Sequence, residues 1–124
     1  MDIYREIILD HYKNPRNYGQ IKDADIKAQG DNPLCGDKIT VYAKVSEDRL
    51  YDVSFQAEGC VISIASASIV FENIKGKRVD DILSMGRDEV EGLLRVKLGH
   101  NRIKCAVLPL KTLQQALAEK KKKE

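Results

Sequence analysis

The chain holds three cysteines, spaced so widely that only a folded domain brings them together. They are Cys35 in Asn32-Pro33-Leu34-Cys35-Gly36-Asp37, Cys60 in Glu58-Gly59-Cys60-Val61-Ile62-Ser63, and Cys105 in Arg102-Ile103-Lys104-Cys105. Cys60 follows Cys35 by 25 residues and Cys105 follows Cys60 by 45, far beyond zinc-finger spacing. Three thiolates plus the carboxylate of Asp37 make a complete four-ligand set for zinc or for an iron–sulfur cluster. The plain alternative is that each cysteine is a small core residue. That accounts for any one of them. It accounts less well for three that each fall at an element boundary, one of them beside Gly36-Asp37.

Length and charge narrow the classes. At 124 residues the chain has room for one domain, 1–124, with a lysine-rich tail from about residue 120. A 43% hydrophobic and 32% charged composition is that of a soluble globular protein. No apolar run is long enough to span a bilayer, and Met1-Asp2-Ile3-Tyr4-Arg5-Glu6 lacks a signal-peptide pattern. The expected location is the cytoplasm, where thiols stay reduced; an odd cysteine count also argues against a pure disulfide framework. The net charge of +2 owes much to Lys120-Lys121-Lys122-Lys123, read as a solvated, frayed tail. With two phenylalanines, five tyrosines and no tryptophan, a base-stacking nucleic-acid surface is not expected.

Periodicity predicts an amphipathic helix over Asp2 to Lys13, with Tyr4, Ile7, Ile8 and Tyr12 at helical spacing and Asp2 as cap. Ala24, Ile26 and Ala28 suggest a short strand broken by Asp31-Asn32-Pro33. Lys38 to Val45 alternates cleanly, as do Tyr51, Val53, Phe55 and Ala57 beyond the turn-like Ser46-Glu47-Asp48-Arg49, predicting an antiparallel hairpin. A buried helix of small residues follows over Val61 to Ile74, closed by Gly76. Val79 to Met85 and Arg87 to Val96 read as shorter helices, Lys97 to Asn101 as a connection. The last helix is expected from about Cys105 to Lys120, with Val107, Leu108, Leu113, Ala116 and Leu117 inward and Pro109 near its first turn. Strands first and helices afterwards argue for an α+β domain.

In this layout Cys35 and Asp37 point the same way if their loop is extended, and Gly36 allows close backbone approach. Cys60 and Cys105 both stand at helix starts, whose unpaired N–H groups favour a thiolate; Arg102 and Lys104 add positive charge. Of the two histidines, His11 reads as a partly exposed helix residue and His100 as a loop residue without a ligand role. No base and oxyanion hole are arranged for a Cys–His hydrolase. Ser63, Ser66 and Ser68 lack a nucleophile-elbow pattern and read as helix packing.

These stretches resemble the IscU/SufU/NifU-N-terminal type of iron–sulfur cluster assembly scaffold over nearly the whole chain. The resemblance rests on Asn32-Pro33-Leu34-Cys35-Gly36-Asp37, on Gly59-Cys60 through Ser68, on Arg102 through Leu113, and on Ile8-Leu9-Asp10-His11-Tyr12-Lys13-Asn14-Pro15-Arg16-Asn17. It implies a compact α+β fold with a three-stranded antiparallel sheet packed against several helices. It implies a transient [2Fe–2S] cluster at Cys35, Asp37, Cys60 and Cys105, zinc in the cluster-free site, and delivery to apo iron–sulfur acceptor proteins. A cysteine desulfurase would donate persulfide sulfur, with Cys35 and Cys105 as candidate acceptors. Two features depart from the IscU branch: Lys104 replaces the histidine before the third cysteine, and Lys97-Leu98-Gly99-His100-Asn101 lacks the Leu-Pro-Pro-Val-Lys chaperone-recognition motif, so docking to the dedicated chaperone is not implied. Arg102-x-x-Cys105 is closer to SufU, a zinc-bound sulfurtransferase, yet the usual SufU insertion between the second and third cysteines is missing.

Overall fold

A computed structural model describes residues 3–33 and 36–123. Its elements run α1 (Ile3–Lys13), β1 (Ile26–Asn32), β2 (Asp37–Ser46), β3 (Arg49–Glu58), α2 (Val61–Ile74), α3 (Val79–Leu83), α4 (Arg87–Leu94) and α5 (His100–Lys123). The strands form one antiparallel sheet in the order β1-β2-β3, so the expected α+β architecture is the one observed.

Local chemistry sets the strand boundaries. β1 runs into its expected break at Asp31-Asn32-Pro33: it stays paired through Asn32, opposite Asp37. The residue before a proline is driven to extended backbone, so Pro33 ends the strand from one position beyond it. Glu47 and Asp48, both with positive φ (54° and 62°), make the two-residue turn of the β2–β3 hairpin, whose hand matches strand twist. The expected single inner face of β3 is interrupted. Lys44 pairs with Asp52 but Val45 pairs with Leu50, leaving Tyr51 as an extra, bulged residue. The bulge turns Leu50 into the core and leaves Tyr51 66% exposed.

Inward side chains of the sheet, including Val41, Val53 and Phe55, meet α2 and α5. Phe55 packs edge-on against Phe71 of α2 at 5.8 Å and against Tyr18 at 5.3 Å. α2 is buried almost all round, which explains Ala65, Ser66, Ala67 and Ser68: small residues let α1 and α5 approach from either side.

α1 corrects one expectation. Its buried residues are Ile8 and His11, whereas Tyr4, Ile7 and Tyr12 remain partly exposed. His11 is only 8% exposed, and its Nδ1 lies 2.7 Å from Ser68 Oγ on α2. The same hydroxyl oxygen accepts the Arg16 N–H at 2.8 Å. The expected Asp2 cap lies outside the described residues.

α5 is longer than its sequence suggests at both ends. It starts at His100 and continues through the lysine run to Lys123, with the Ile103 N–H bonded to the Gly99 carbonyl at 3.0 Å. Pro109 therefore lies in the interior, where it has no N–H to offer the preceding turn. In that turn Ser66 Oγ of α2 donates to the Ala106 carbonyl at 2.5 Å, which ties the two helices together. On its other side α5 seats on β1 at Gly30, where a Cβ would overlap Thr112 Oγ1. This close approach brings the first turns of α5 to the Asn32 end of β1.

Candidate metal centre

Three elements end at one place. Asp37 opens β2, Cys60 stands directly before α2, and Cys105 lies inside α5. One ligand atom from each (a carboxylate oxygen and two Sγ) falls within a set spanning no more than 4.8 Å. Cys35, the fourth residue of the expected set, lies outside the described residues.

Asp37 is 1% exposed, and its carboxylate is held from one side. Oδ1 accepts the Cys60 N–H at 2.9 Å, while Oδ2 lies 3.8 Å from Cys60 Sγ. The N–H belongs to the N-cap of α2, a donor end that carries partial positive charge. Cys60 adopts extended backbone (φ −76°, ψ 166°), and its Sγ accepts the Ser63 N–H at 3.5 Å. The sulfur thus faces the start of α2, where its sequence position had placed it.

Cys105 differs from expectation. It sits beyond the first turn of α5, since the helix begins at His100, so the free N–H groups of the helix start do not serve its thiol. Its S–H is 3.8 Å from the Asn101 carbonyl, and the Asn32 side-chain amide donates toward its Sγ at 4.0 Å. Cys105 is 2% exposed, whereas Cys60 is half-buried; reachability therefore does not favour Cys105 as a sulfur acceptor over Cys60. Its cationic neighbours Arg102 and Lys104 are exposed. His100 is the exposed first residue of α5 rather than a loop residue, and is not in the metal-holding group. Asn32 was missed in the sequence. Its only signal there was its place three residues before Cys35, and its contact is made across the fold.

The donor chemistry suits a metal. Bond lengths of about 2.3 Å to sulfur and about 2.0 Å to oxygen place tetrahedral donors about 3.5 to 3.8 Å apart. The 3.8 Å between Cys60 Sγ and Asp37 Oδ2 is close to the about 3.5 Å of a sulfur–oxygen pair, and the whole set lies within 4.8 Å. Two soft sulfurs and one hard oxygen match zinc or iron rather than calcium or magnesium.

A small antiparallel sheet with helices packed on it, gathering two cysteines and an aspartate from a strand start, a helix start and the last helix, defines an α+β protein with a candidate metal centre. A match to the NifU-like N terminal domain covers residues 3–124, and the chain belongs to that family. It is 39% identical over 134 residues to the zinc-dependent sulfurtransferase SufU of Bacillus subtilis, with 94% of this chain and 90% of the relative covered. It is 38% identical over 117 residues to the iron–sulfur cluster assembly scaffold protein IscU 1 of Archaeoglobus fulgidus, covering 94% and 76%. The crystal structure of the SUF-system protein FiSufU from Fervidobacterium islandicum AW-1 superposes with a TM-score of 0.75 at 31% identity, covering 90% of this chain and 94% of that one.

Proposed function

We propose that this chain is an iron–sulfur cluster assembly scaffold, with residues 1–124 acting as one unit. The observation that carries this reading is the convergence of Asp37, Cys60 and Cys105 donors at one end of the sheet. With Cys35 they would form a site of three thiolates and one carboxylate for a transient [2Fe–2S] cluster, the cargo, with zinc in the cluster-free protein. Sulfur would come from a cysteine desulfurase. A thiolate of this chain attacks the outer sulfur of the desulfurase persulfide, the old S–S bond breaks, and the desulfurase cysteine leaves as thiolate. Reducing each transferred sulfur to sulfide takes two electrons from a dithiol or ferredoxin-class reductant. The finished cluster passes to apo acceptor proteins. Such chemistry needs a reducing compartment, and we place it in the cytoplasm. Among the described residues no helix is long and apolar enough to cross a membrane.

A zinc-bound sulfurtransferase is the second reading. The likeness to SufU and the exposed Lys104 beside Cys105 favour it. Against it stands the short path between α2 and α5, occupied by two small helices without an insertion. Anaerobic reconstitution with iron, cysteine and a desulfurase, followed by incubation with an apo-ferredoxin, separates the two. A transferable cluster supports the scaffold; sulfur uptake with zinc retained supports the sulfurtransferase and overturns the first reading.

A further inference from the structure

Gly59 stands immediately before Cys60, and its backbone does not explain why it is glycine. Positive φ is confined to Gly19, Gly36 and Gly76 among the described glycines, so any residue fits the conformation at position 59. Space explains it instead. A Cβ on Gly59 would overlap Asp37 Oδ1, lie 3.0 Å from Asp37 Cγ and 2.9 Å from Ser63 Oγ. Ser63 Oγ ends a short side chain that can rotate. The Asp37 carboxylate cannot yield so easily: it is buried and tied by Oδ1 to the Cys60 N–H at 2.9 Å.

We infer that Gly59 is a positioning residue for the metal centre: its missing side chain is the seat of the Asp37 carboxylate. Seated there, Oδ1 faces the amide at the start of α2 and Oδ2 faces Cys60 Sγ at 3.8 Å. The carboxylate is thereby pre-set as a one-oxygen donor, its second oxygen occupied by a backbone N–H. Groups that hold a ligand in this way contribute strongly to affinity although they never touch the metal. Ala57 and Glu58, the preceding residues, still belong to β3, so the seat lies where the strand hands over to the helix and stays at a fixed distance from Cys60.

The inference rests on reading Asp37 as a metal donor, and zinc binding by the full chain tests it apart from any transfer activity. Gly59→Ala should bind zinc more weakly by about 10-fold or more, and Asp37→Ala should do likewise. The double variant should bind no more weakly than Asp37→Ala alone, because the seat has no function without its occupant. Thermal unfolding of the zinc-free proteins supplies the second readout. Gly59→Ala should lower the midpoint in the wild-type background and lower it less in Asp37→Ala, where the new methyl fills vacated space. If Gly59→Ala fails to fold alone but folds with Asp37→Ala, the seat is supported; if both fail, it is overturned. Wild-type zinc affinity in Gly59→Ala overturns it, as does the same fold-loss in both backgrounds. Wild-type affinity in Asp37→Ala removes the carboxylate from the site and overturns the seat together with that assignment. Intact zinc coupling without cluster or sulfur transfer overturns the functional reading alone.

Discussion

His11 Nδ1 and Ser68 Oγ meet at 2.7 Å across the α1–α2 contact. Ser68 Oγ also accepts the Arg16 N–H, so its own hydrogen points best at an unprotonated Nδ1. Burial holds the imidazole below its ordinary pKa of 6.5; the Arg16 charge adds to this, while Glu72 and Asp10 oppose it. The unfolded chain therefore takes up a proton at a pH where the folded one does not. Stability should be fully present above about pH 7 and fall as pH drops through 6.5, levelling below the folded value. Denaturant unfolding between pH 8 and pH 5 checks this: His11→Gln should flatten that part of the profile, and an unchanged slope would exclude His11 as its source.

Zinc is the simplest probe of the shared site. The folded chain should bind about one zinc if Cys35 joins Asp37, Cys60 and Cys105, since the four make a full ligand set. Cys35→Ser, Cys60→Ser and Cys105→Ser should each weaken binding by more than the about 10- to 100-fold typical of an outer partner. A chelator-competition titration gives both stoichiometry and affinity. Any cysteine whose replacement leaves both at wild-type values is not a ligand.

The sequence carries the site's donors better than their setting. Cys60 and Asp37 were legible as candidate donors because residue type and neighbours point to them directly, and the alternation of Lys38 to Val45 revealed β2. The start of α5 was not, because Pro109 argues for a nearby helix N-terminus, whereas the helix already begins at His100. His11 looked like a surface residue because its partner is 57 positions away. Gly59 and Asn32 were passed over for the same reason: their contacts with Asp37 and Cys105 exist only once three segments have met.

Sulfur acceptance should begin at Cys35. A persulfide acceptor must be nucleophilic and reachable, and Cys105 is 2% exposed in this structure. After brief incubation with a desulfurase and cysteine, mass spectrometry of tryptic peptides should find the added sulfur on Cys35. Cys105→Ser should leave early persulfide yield near wild type and Cys35→Ser should abolish it. Label confined to Cys60 would reverse this order and make the helix-start cysteine the acceptor.

Asp37 should serve both the fold and cluster release, and two substitutions separate these roles. Its buried carboxyl group accepts the Cys60 N–H at 2.9 Å, a bond whose loss costs about 1 to 3 kcal/mol. Asp37→Ala removes that acceptor and leaves the Cys60 N–H without its partner, so the zinc-free protein should lose stability of that order. Asp37→Asn can still offer Oδ1 to the N–H and should lose less. On the proposed function, release should depend on the other oxygen. A carboxylate is a hard ligand among soft thiolates, and the iron corner it holds exchanges more readily than an all-sulfur one. Both variants should therefore slow transfer of a reconstituted cluster to an apo-ferredoxin, Asp37→Asn doing so with little loss of stability. Unfolding midpoints and transfer rates measured on the same preparations decide the matter. Wild-type transfer in Asp37→Asn, with stability lost only in Asp37→Ala, would show that the residue merely ties β2 to the start of α2.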